Sequence, residues 1–142
     1  DPAMIERLYE ASQAGVKIDL IVRGICCLIP GRKYSRNIRV TRIVDTFLEH
    51  ARVWYFGNGG KPKLFLGSPD WMRRNLYRRI EAVTPILDPD LKRELSDMLS
   101  IQLSDKRKAC FVDDHLRNRW KSARPQKEKI RSQYTFYEYL KG

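Results

Sequence analysis

The 142-residue sequence has few cysteines, few histidines and no long apolar run. Its three cysteines are an odd number, and Cys26 and Cys27 are adjacent in an apolar stretch. This pattern favours reduced core thiols over a disulfide framework or a zinc site. No apolar run reaches the ~18 residues needed to cross a bilayer, and no signal-peptide pattern opens the chain. Walker-type loops, zinc-ligand spacings and the Gly-x-Ser-x-Gly elbow are also missing, which excludes several common enzyme classes.

The sequence is rich in positive charge. Lys and Arg number 28 against 17 Asp and Glu, so the formal net charge is +11 at pH 7. Such a surface attracts polyanions, among them nucleic acid, phospholipid headgroups, nucleotides and inorganic phosphate chains, and charge alone does not choose among them. Together with the reduced cysteines, these features predict a cytoplasmic location, with association at a membrane surface left open.

Length and ends predict the domain organisation. A chain of 142 residues is the size of one compact domain, so we expect a single domain over residues 1–142. Within it, residues 104–142 form a basic C-terminal extension that ends in a helix. Because the chain begins without an initiator methionine, we expect it to be a piece of a longer protein.

The first half of the chain alternates helix and strand signals, which predicts an α/β fold. Asp1 and Pro2 are an N-cap and a first helical residue, and Gly15 suits the C-terminal cap of that helix. A buried strand is predicted over residues 16–22, a short strand over 38–40 and a short helix over 42–48.

The second half begins with a predicted hairpin, since β-branched and aromatic residues flank an Asn-Gly-Gly turn. Its strands cover residues 52–56 and 63–66, and a helical turn follows over 71–76. A further strand over 78–84 places Arg79 and Glu81 on one face. The remaining predictions are a helix that begins at Asp88 and Pro89, a strand at 109–112 and a terminal helix through Tyr134, Tyr137 and Leu140.

His50 is one of only two histidines and stands among guanidinium and small polar groups. A phosphoryl transfer needs a nucleophile or proton relay, cations that spread its charge and usually magnesium. An imidazole suits the first task at neutral pH. Arg23, Arg52, Arg74 and Arg79 suit the second, because a planar fork matches phosphate oxygens. The alternative is that His50 is an ordinary surface residue and that these arginines are only solvated.

The predicted elements add two observations, one on Arg23 and one on the turn at residues 67–70. Arg23 ends a predicted strand just before Gly24, where open α/β sheets bind ligands. The turn at residues 67–70 could offer backbone N–H groups to an anion at the start of the helical turn that follows.

Five sequence strings, in order and without large gaps, resemble the C-terminal catalytic domain of the bacterial polyphosphate kinase family. They are Ile21-Val22-Arg23-Gly24-Ile25-Cys26-Cys27-Leu28-Ile29-Pro30-Gly31, Phe47-Leu48-Glu49-His50, Tyr55-Phe56-Gly57-Asn58-Gly59-Gly60, Ser68-Pro69-Asp70-Trp71-Met72-Arg73-Arg74-Asn75 and Arg79-Ile80-Glu81. The resemblance runs from about Met4 to the end of the chain. It implies a phospholipase D-like α/β fold, a mixed β-sheet flanked by helices. It also implies reversible transfer of the terminal phosphate of ATP to inorganic polyphosphate through a phosphohistidine.

The resemblance also implies roles for particular residues. His50 matches the histidine that faces the autophosphorylated histidine, which the family carries in the preceding domain. Arg23 matches an arginine that holds nucleotide phosphates, and Arg79 and Glu81 match polar residues near the nucleotide. Magnesium is implied, with ligands outside this chain, as are ATP or ADP, polyphosphate, the preceding domain and a homo-oligomer as partners. Nucleic acid is not expected, and the isolated chain is expected to be inactive.

A fainter similarity links the chain to the phospholipase D signature, His-x-Lys followed by Gly-Ser-x-Asn. Arg52 stands at the lysine place and Asp70 at the asparagine place, so ordinary phosphodiester hydrolysis is not expected. Arg52, Asp70 and Arg74 are instead predicted to contact the nucleotide or phosphate. A phosphodiesterase, or a module that only binds polyanions or nucleic acid, remains the alternative function.

Overall fold

The computed structural model describes residues 1–141, which contain both α-helices and β-strands, as the predicted α/β class requires. The helices are α1 (Pro2–Gln13), α2 (Arg73–Arg78), α3 (Pro89–Ser104) and α4 (Ser132–Lys141). The strands are β1 (Ile18–Ile21), β2 (Ile38–Ile43), β3 (Val53–Phe56), β4 (Lys63–Gly67), β5 (Val83–Ile86), β6 (Ala109–Val112) and β7 (Asn118–Trp120).

The contacts between residues divide the chain into two compact units. The larger unit contains residues 2–47 and the chain from residue 100 onward, and the smaller unit contains residues 48–99 together with Asp1. Composition led us to expect one compact unit, and each of these two has a sheet of its own. The assignment of residues 1–142 to a single domain stays a prediction.

The larger unit contains a mixed sheet with the strand order β1-β2-β6-β7. Strands β1 and β2 are parallel, whereas β6 pairs antiparallel with both β2 and β7. Its core is apolar and includes side chains of β2 and β6, and residues of α1 and β1 pack against it. The core residues are Leu28, Ile38, Val40 and Val112. The apolar face of α1 therefore packs on this core, as expected of an amphipathic helix.

The prediction that Cys26 and Cys27 are core thiols is confirmed for Cys26 and wrong for Cys27. Cys26 is partly buried against the core of the larger unit, whereas Cys27 is exposed. Cys26, Cys27 and Cys110 are free thiols.

The smaller unit contains an antiparallel sheet with the strand order β3-β4-β5. The predicted hairpin is confirmed, since β3 pairs with β4 in a register that places Val53 opposite Leu66. Trp71 packs on Trp54, with ring centroids 6.3 Å apart and ring planes 15° apart. Gly67 ends β4 beside Trp54, where an added Cβ would lie 2.5 Å from a ring carbon.

Two predicted elements are wrong. The helix expected over residues 42–48 does not form, because Arg42 and Ile43 continue β2 and pair with Cys110 and Ala109 of β6. The strand expected over residues 78–84 begins only at Val83, because α2 extends to Arg78. Strand β1 is also shorter than the predicted strand and only partly buried, and β7 was not predicted within the basic stretch.

Candidate functional site

The sheet of the smaller unit brings most of the candidate residues to one end. Because its strands are antiparallel, β3 and β5 begin at the end where β4 stops. There the backbone N–H of Gly67 donates to the carbonyl of Arg52 at 3.0 Å, and that of Ser68 donates to the carbonyl of Ala82 at 3.0 Å. The residues just beyond the strand ends are His50, Arg52, Ser68, Asp70, Arg79 and Glu81.

Arg52 links two of these chain segments. Its Nε and Nη2 atoms lie 3.1 and 3.0 Å from Oδ1 of Asp70, and its Nη1 donates to the backbone carbonyl of His50 at 2.5 Å. Planar guanidinium groups make charge-assisted hydrogen bonds of this kind with fixed geometry. Arg52 and Asp70 therefore position the backbone of residue 50, and contact of either with phosphate stays a prediction.

His50 precedes β3, in a stretch without helix or strand, and its side chain is exposed. The hydrogen bond from Arg52 holds its backbone carbonyl and leaves the imidazole open to solvent. An imidazole exposed in this way is accessible for proton transfer to a bound group.

Glu81 is held as a hydrogen-bond acceptor. The Ser68 hydroxyl donates to its Oε2, Asn75 Nδ2 donates to its Oε1 at 3.0 Å, and Arg79 Nε lies 3.5 Å from Oε1. The hydrogen bonds from Ser68 and Asn75, followed by the charges of Arg79 and Arg52, lower the pKa of Glu81 below its usual value. The carboxylate is therefore ionised near neutral pH and suits orientation of a cation better than proton donation.

Ser68 and Asn75 are site residues that the sequence analysis missed. Asn75 lies on α2 and is only 3 % exposed, so its amide is a buried partner for Glu81. The turn at residues 67–70 was interpreted as an anion-binding turn, but the N–H of Ser68 already donates to Ala82 and its hydroxyl accepts from the N–H of Ala82. The sequence feature that could have indicated these contacts is Ser68, a small residue with a hydroxyl group directly after β4.

Arg79 and Arg74, two of the predicted phosphate-binding arginines, differ in their surroundings. Arg79 and Glu81 point together as predicted, although both precede the strand, and the Arg79 side chain is 63 % exposed. Arg74 is exposed on α2 and stands outside the hydrogen-bonded cluster described above. Arg79 is thus the guanidinium that the cluster orients toward solvent.

Arg23 belongs to the larger unit and is described apart from this cluster. It is exposed and follows the carboxyl end of β1, as predicted. Arg42 of β2 donates to the carbonyl of Gly24 at 2.9 Å and to Oδ1 of Asn118 at 3.0 Å. These bonds hold the turn that carries Arg23 against the sheet, a role for Arg42 that the sequence analysis did not predict.

Asp70 and Glu81 do not fit a magnesium site, because each carboxylate is already engaged by neighbouring side chains. Magnesium binds through carboxylates that can give it oxygen ligands in octahedral geometry. Asp70 bonds to Arg52, and Glu81 bonds to Ser68, Asn75 and Arg79. Within residues 1–141, no group of three or more His, Cys, Asp or Glu residues could hold a metal ion.

The structure was also searched for membrane-spanning helices. Among residues 1–141, no helix is long and apolar enough to cross a membrane.

The chain is similar to known proteins over its full length. Residues 1–133 match the family described as polyphosphate kinase C-terminal domain 2. The polyphosphate kinase of Escherichia coli K12 is 47 % identical over an alignment of 143 positions, which covers 100 % of this chain and 21 % of that protein. That of Synechocystis is 57 % identical over 110 residues, 77 % of this chain and 15 % of that protein.

A solved structure shows the same fold. The crystal structure of polyphosphate kinase from Porphyromonas gingivalis is 56 % identical and has a TM-score of 0.95, over 100 % of this chain and 22 % of that chain. The expected phospholipase D-like α/β class, a mixed sheet flanked by helices, is confirmed. The chain spans about a fifth of the length of these relatives. With a family match over residues 1–133 and close relatives of one name, this chain belongs to the polyphosphate kinase C-terminal domain 2 family.

Proposed function

We propose that the chain is the C-terminal part of a polyphosphate kinase, which reversibly transfers the γ-phosphate of ATP to inorganic polyphosphate. Relatives named polyphosphate kinase match the whole chain and support this activity. The single observation that carries it is an exposed His50 whose backbone carbonyl is held by Arg52, beside the oriented pair Arg79 and Glu81.

In this proposal His50 completes a site whose nucleophile lies in the preceding domain. A histidine there attacks the γ-phosphorus of ATP, and ADP leaves with the bond electrons. His50 donates a proton to the leaving oxygen or stabilises the phosphoryl group in transit. An exposed imidazole beside a restrained backbone is suited to this task, because little reorganisation is needed when the other domain supplies the phosphate.

The arginines supply positive charge for the phosphates. Arg79 is exposed and oriented by Glu81, and Arg23 is exposed at the carboxyl end of β1, so both can pair with phosphate oxygens. The exposed guanidinium of Arg74, on α2, can add further positive charge for the phosphates. Magnesium, when bound by residues elsewhere in the protein, supplies further charge neutralisation at the phosphates.

Ordinary phosphodiester hydrolysis is disfavoured by the pair of Arg52 and Asp70. The cation at the lysine place of the phospholipase D signature is already bonded to the carboxylate at the asparagine place. Phosphate contact there would require this ion pair to break or to share its donors.

The experiment is the His50→Ala variant of the longer polypeptide that carries this chain, assayed for ATP-dependent polyphosphate synthesis. We expect a loss of ~100-fold or more, because a positioned proton-transfer group contributes about 10²–10⁴-fold. His115→Ala is the matched control, since His115 is exposed in the turn between β6 and β7 and its imidazole lies 3.8 Å from the Asp114 carboxylate. Near wild-type activity of His50→Ala would contradict the proposal, and so would stable radiolabel from ATP on His50.

The partners and location follow the same proposal. ATP or ADP, polyphosphate and the preceding domain contact this chain, and the full protein is a cytoplasmic homo-oligomer. A module that only binds polyanions would bind polyphosphate and single-stranded DNA of matched charge equally at every salt concentration, whereas a shaped site prefers polyphosphate.

A further inference from the structure

A groove in the larger unit is open to solvent and shares no residue with the cluster around His50. Its volume is about 340 Å³, a size typical of small-ligand sites. Residues 107 and 129 and the first two turns of α4 form its walls, and we call it the α4 groove. All of its lining residues belong to the larger unit. They are Arg107, Lys129, Arg131, Tyr134, Thr135 and Glu138.

One buried carboxylate joins the two walls of the α4 groove. Asp105 is fully buried, and its carboxylate accepts from the N–H groups of Arg107 and Lys108 at 2.8 Å. It also accepts from the N–H of Ser132, the first residue of α4, at 2.7 Å. The backbone that carries Arg107 is therefore fixed to the start of α4, and the groove exists without a ligand.

Arg131 is a cation that the protein itself orients at the α4 groove. Nε and Nη2 of Arg131 donate to the two carboxylate oxygens of Asp45 at 2.8 and 2.6 Å. The Asp45 side chain is 1 % exposed and also lies 3.8 Å from the ammonium of Lys108. Two cations therefore share one carboxylate, which leaves net positive charge. Nη1 of Arg131 makes no hydrogen bond within residues 1–141, so its donors are available to a ligand.

The other charged lining groups add to this positive charge. Arg107 and Lys129 are exposed, and neither side chain pairs with another residue in the part of the chain that the structure describes. Glu138 is the single carboxylate among the lining residues, and its Oε1 lies 4.0 Å from Lys141 Nζ. Cations thus outnumber anions around the groove, which attracts a ligand that carries several negative charges.

Tyr134 indicates which kind of polyanion fits the α4 groove. Its ring centroid lies 4.1 Å from Cζ of Arg131 and 6.2 Å from the ring centroid of Phe47. The aromatic ring on the lining is therefore already in a cation–π contact. Sites that bind the bases of single strands combine cations with aromatic faces on which the bases stack. The groove thus favours bare phosphate groups over a nucleobase.

We propose that the α4 groove binds a segment of an inorganic polyphosphate chain, whose phosphate oxygens pair with Arg107, Lys129 and Nη1 of Arg131. The choice of this polymer rests on the function proposed above. Guanidinium and ammonium groups form charge-assisted hydrogen bonds with phosphate oxygens. Successive phosphates of one chain contact several cations at once, so polyphosphate binds more tightly than inorganic phosphate.

The experiment is a titration of the longer polypeptide that carries this chain with polyphosphate of defined length, in the absence of ATP and ADP. We expect the double variant Arg107→Gln/Lys129→Gln to bind ~10-fold more weakly or worse, because two charge-assisted contacts are lost. The slope of log affinity against log salt should fall by roughly 1–2. Lys33→Gln/Arg36→Gln is the matched control, since it removes the same charge from exposed positions of the same unit outside the groove.

Glu138→Gln tests the same groove in the opposite direction. Removal of the one lining carboxylate should strengthen polyphosphate binding by ~2-fold or more, because its repulsion of the phosphates is lost. Glu6→Gln makes the same charge change at an exposed position of α1 and should leave the affinity unchanged. A gain in affinity does not arise from damaged folding, so this variant keeps the test decisive if the double variant fails to fold.

Every other result overturns the inference. Equal weakening in the two double variants shows a general effect of charge, and wild-type affinity in Arg107→Gln/Lys129→Gln shows that the polymer binds elsewhere. An equal loss of affinity for single-stranded DNA of matched charge shows a general polyanion site. Near wild-type synthesis by His50→Ala contradicts the proposed function alone, because the titration involves no phosphoryl transfer.

Discussion

Arg52 and Asp70 stand 18 residues apart in the sequence, yet Nε and Nη2 of the arginine lie 3.1 and 3.0 Å from one carboxylate oxygen of the aspartate. The pair joins the segment before β3 to the turn after β4. The same guanidinium also donates a hydrogen bond to the backbone carbonyl of His50. The pair therefore fixes the backbone that carries the imidazole relative to Asp70.

The first prediction concerns this pair. Arg52→Lys in the full-length protein should lower kcat of the proposed reaction by ~10-fold or more, since an ammonium cannot hold Asp70 and the carbonyl of His50 with the geometry of a planar fork. Steady-state kinetics of polyphosphate synthesis measure the effect. Arg93→Lys is the control, because that arginine makes an exposed pair with Asp90 on α3. Equal kinetics in the two variants would contradict the positioning role.

The second prediction concerns pH. Because the pKa of Glu81 is lowered in the folded protein, its hydrogen bonds contribute stability above its usual pKa and lose it as the pH falls through the lowered value. The Ser68 hydrogen bond is the largest cause, so Ser68→Ala should raise the pKa of Glu81 and move this loss to higher pH. Nuclear magnetic resonance titration of the Glu81 carboxyl carbon measures the midpoint. Ser96→Ala, which removes a bond to the carbonyl of Lys92 on α3, should leave the midpoint unchanged.

The third prediction concerns Gly67. A Cβ at this position would lie 2.5 and 2.7 Å from two ring carbons of Trp54 and 3.0 Å from the carbonyl oxygen of Ala82. Gly67→Ala should therefore destabilise the chain by about 1–3 kcal/mol, because the indole must move within a packed layer. Urea unfolding measures the difference. Gly57→Ala is the matched control, since its Cβ meets nothing within 4 Å and should change stability far less.

The fourth prediction concerns the turn between β6 and β7. Leu116 adopts a φ of 61°, which a side chain with Cβ disfavours, and it is 42 % exposed. Leu116→Gly should raise the free energy of unfolding by about 0.5–1 kcal/mol, since relief of strain exceeds the entropy cost of glycine. Leu91→Gly at an exposed position of α3 should instead lower it by about 1 kcal/mol. A loss of stability in both variants would show that the Leu116 turn is unstrained.

Elements with local signals were predicted from the sequence. Helix α3 begins where the Asp88-Pro89 pair indicates, and Oδ1 of Asp88 accepts from the N–H groups of Asp90 and Leu91 at 2.9 Å. The hairpin of β3 and β4 likewise follows from its turn and its β-branched and aromatic residues. These signals act within a few residues, so a sequence pattern detects them.

Elements that depend on distant partners were predicted less well. Arg42 and Ile43 carry no local signal against a helix, and they join β2 because β6, more than 60 residues later, supplies their hydrogen-bond partners. The edge strand β7 also exists through its pairing with β6. Such pairings are nonlocal and override weak local preference.

The sequence by itself determined the basic charge, the Asp88 cap of α3, the hairpin and a histidine among arginines. Only the tertiary structure decided that Arg52 is paired with Asp70, that Ser68 and Asn75 hold Glu81, and that Gln133 holds Phe47. The physical reason is that hydrogen bonds between side chains depend on which strand ends and helix starts meet in space. That meeting depends on sheet pairing across the whole chain rather than on neighbouring residues.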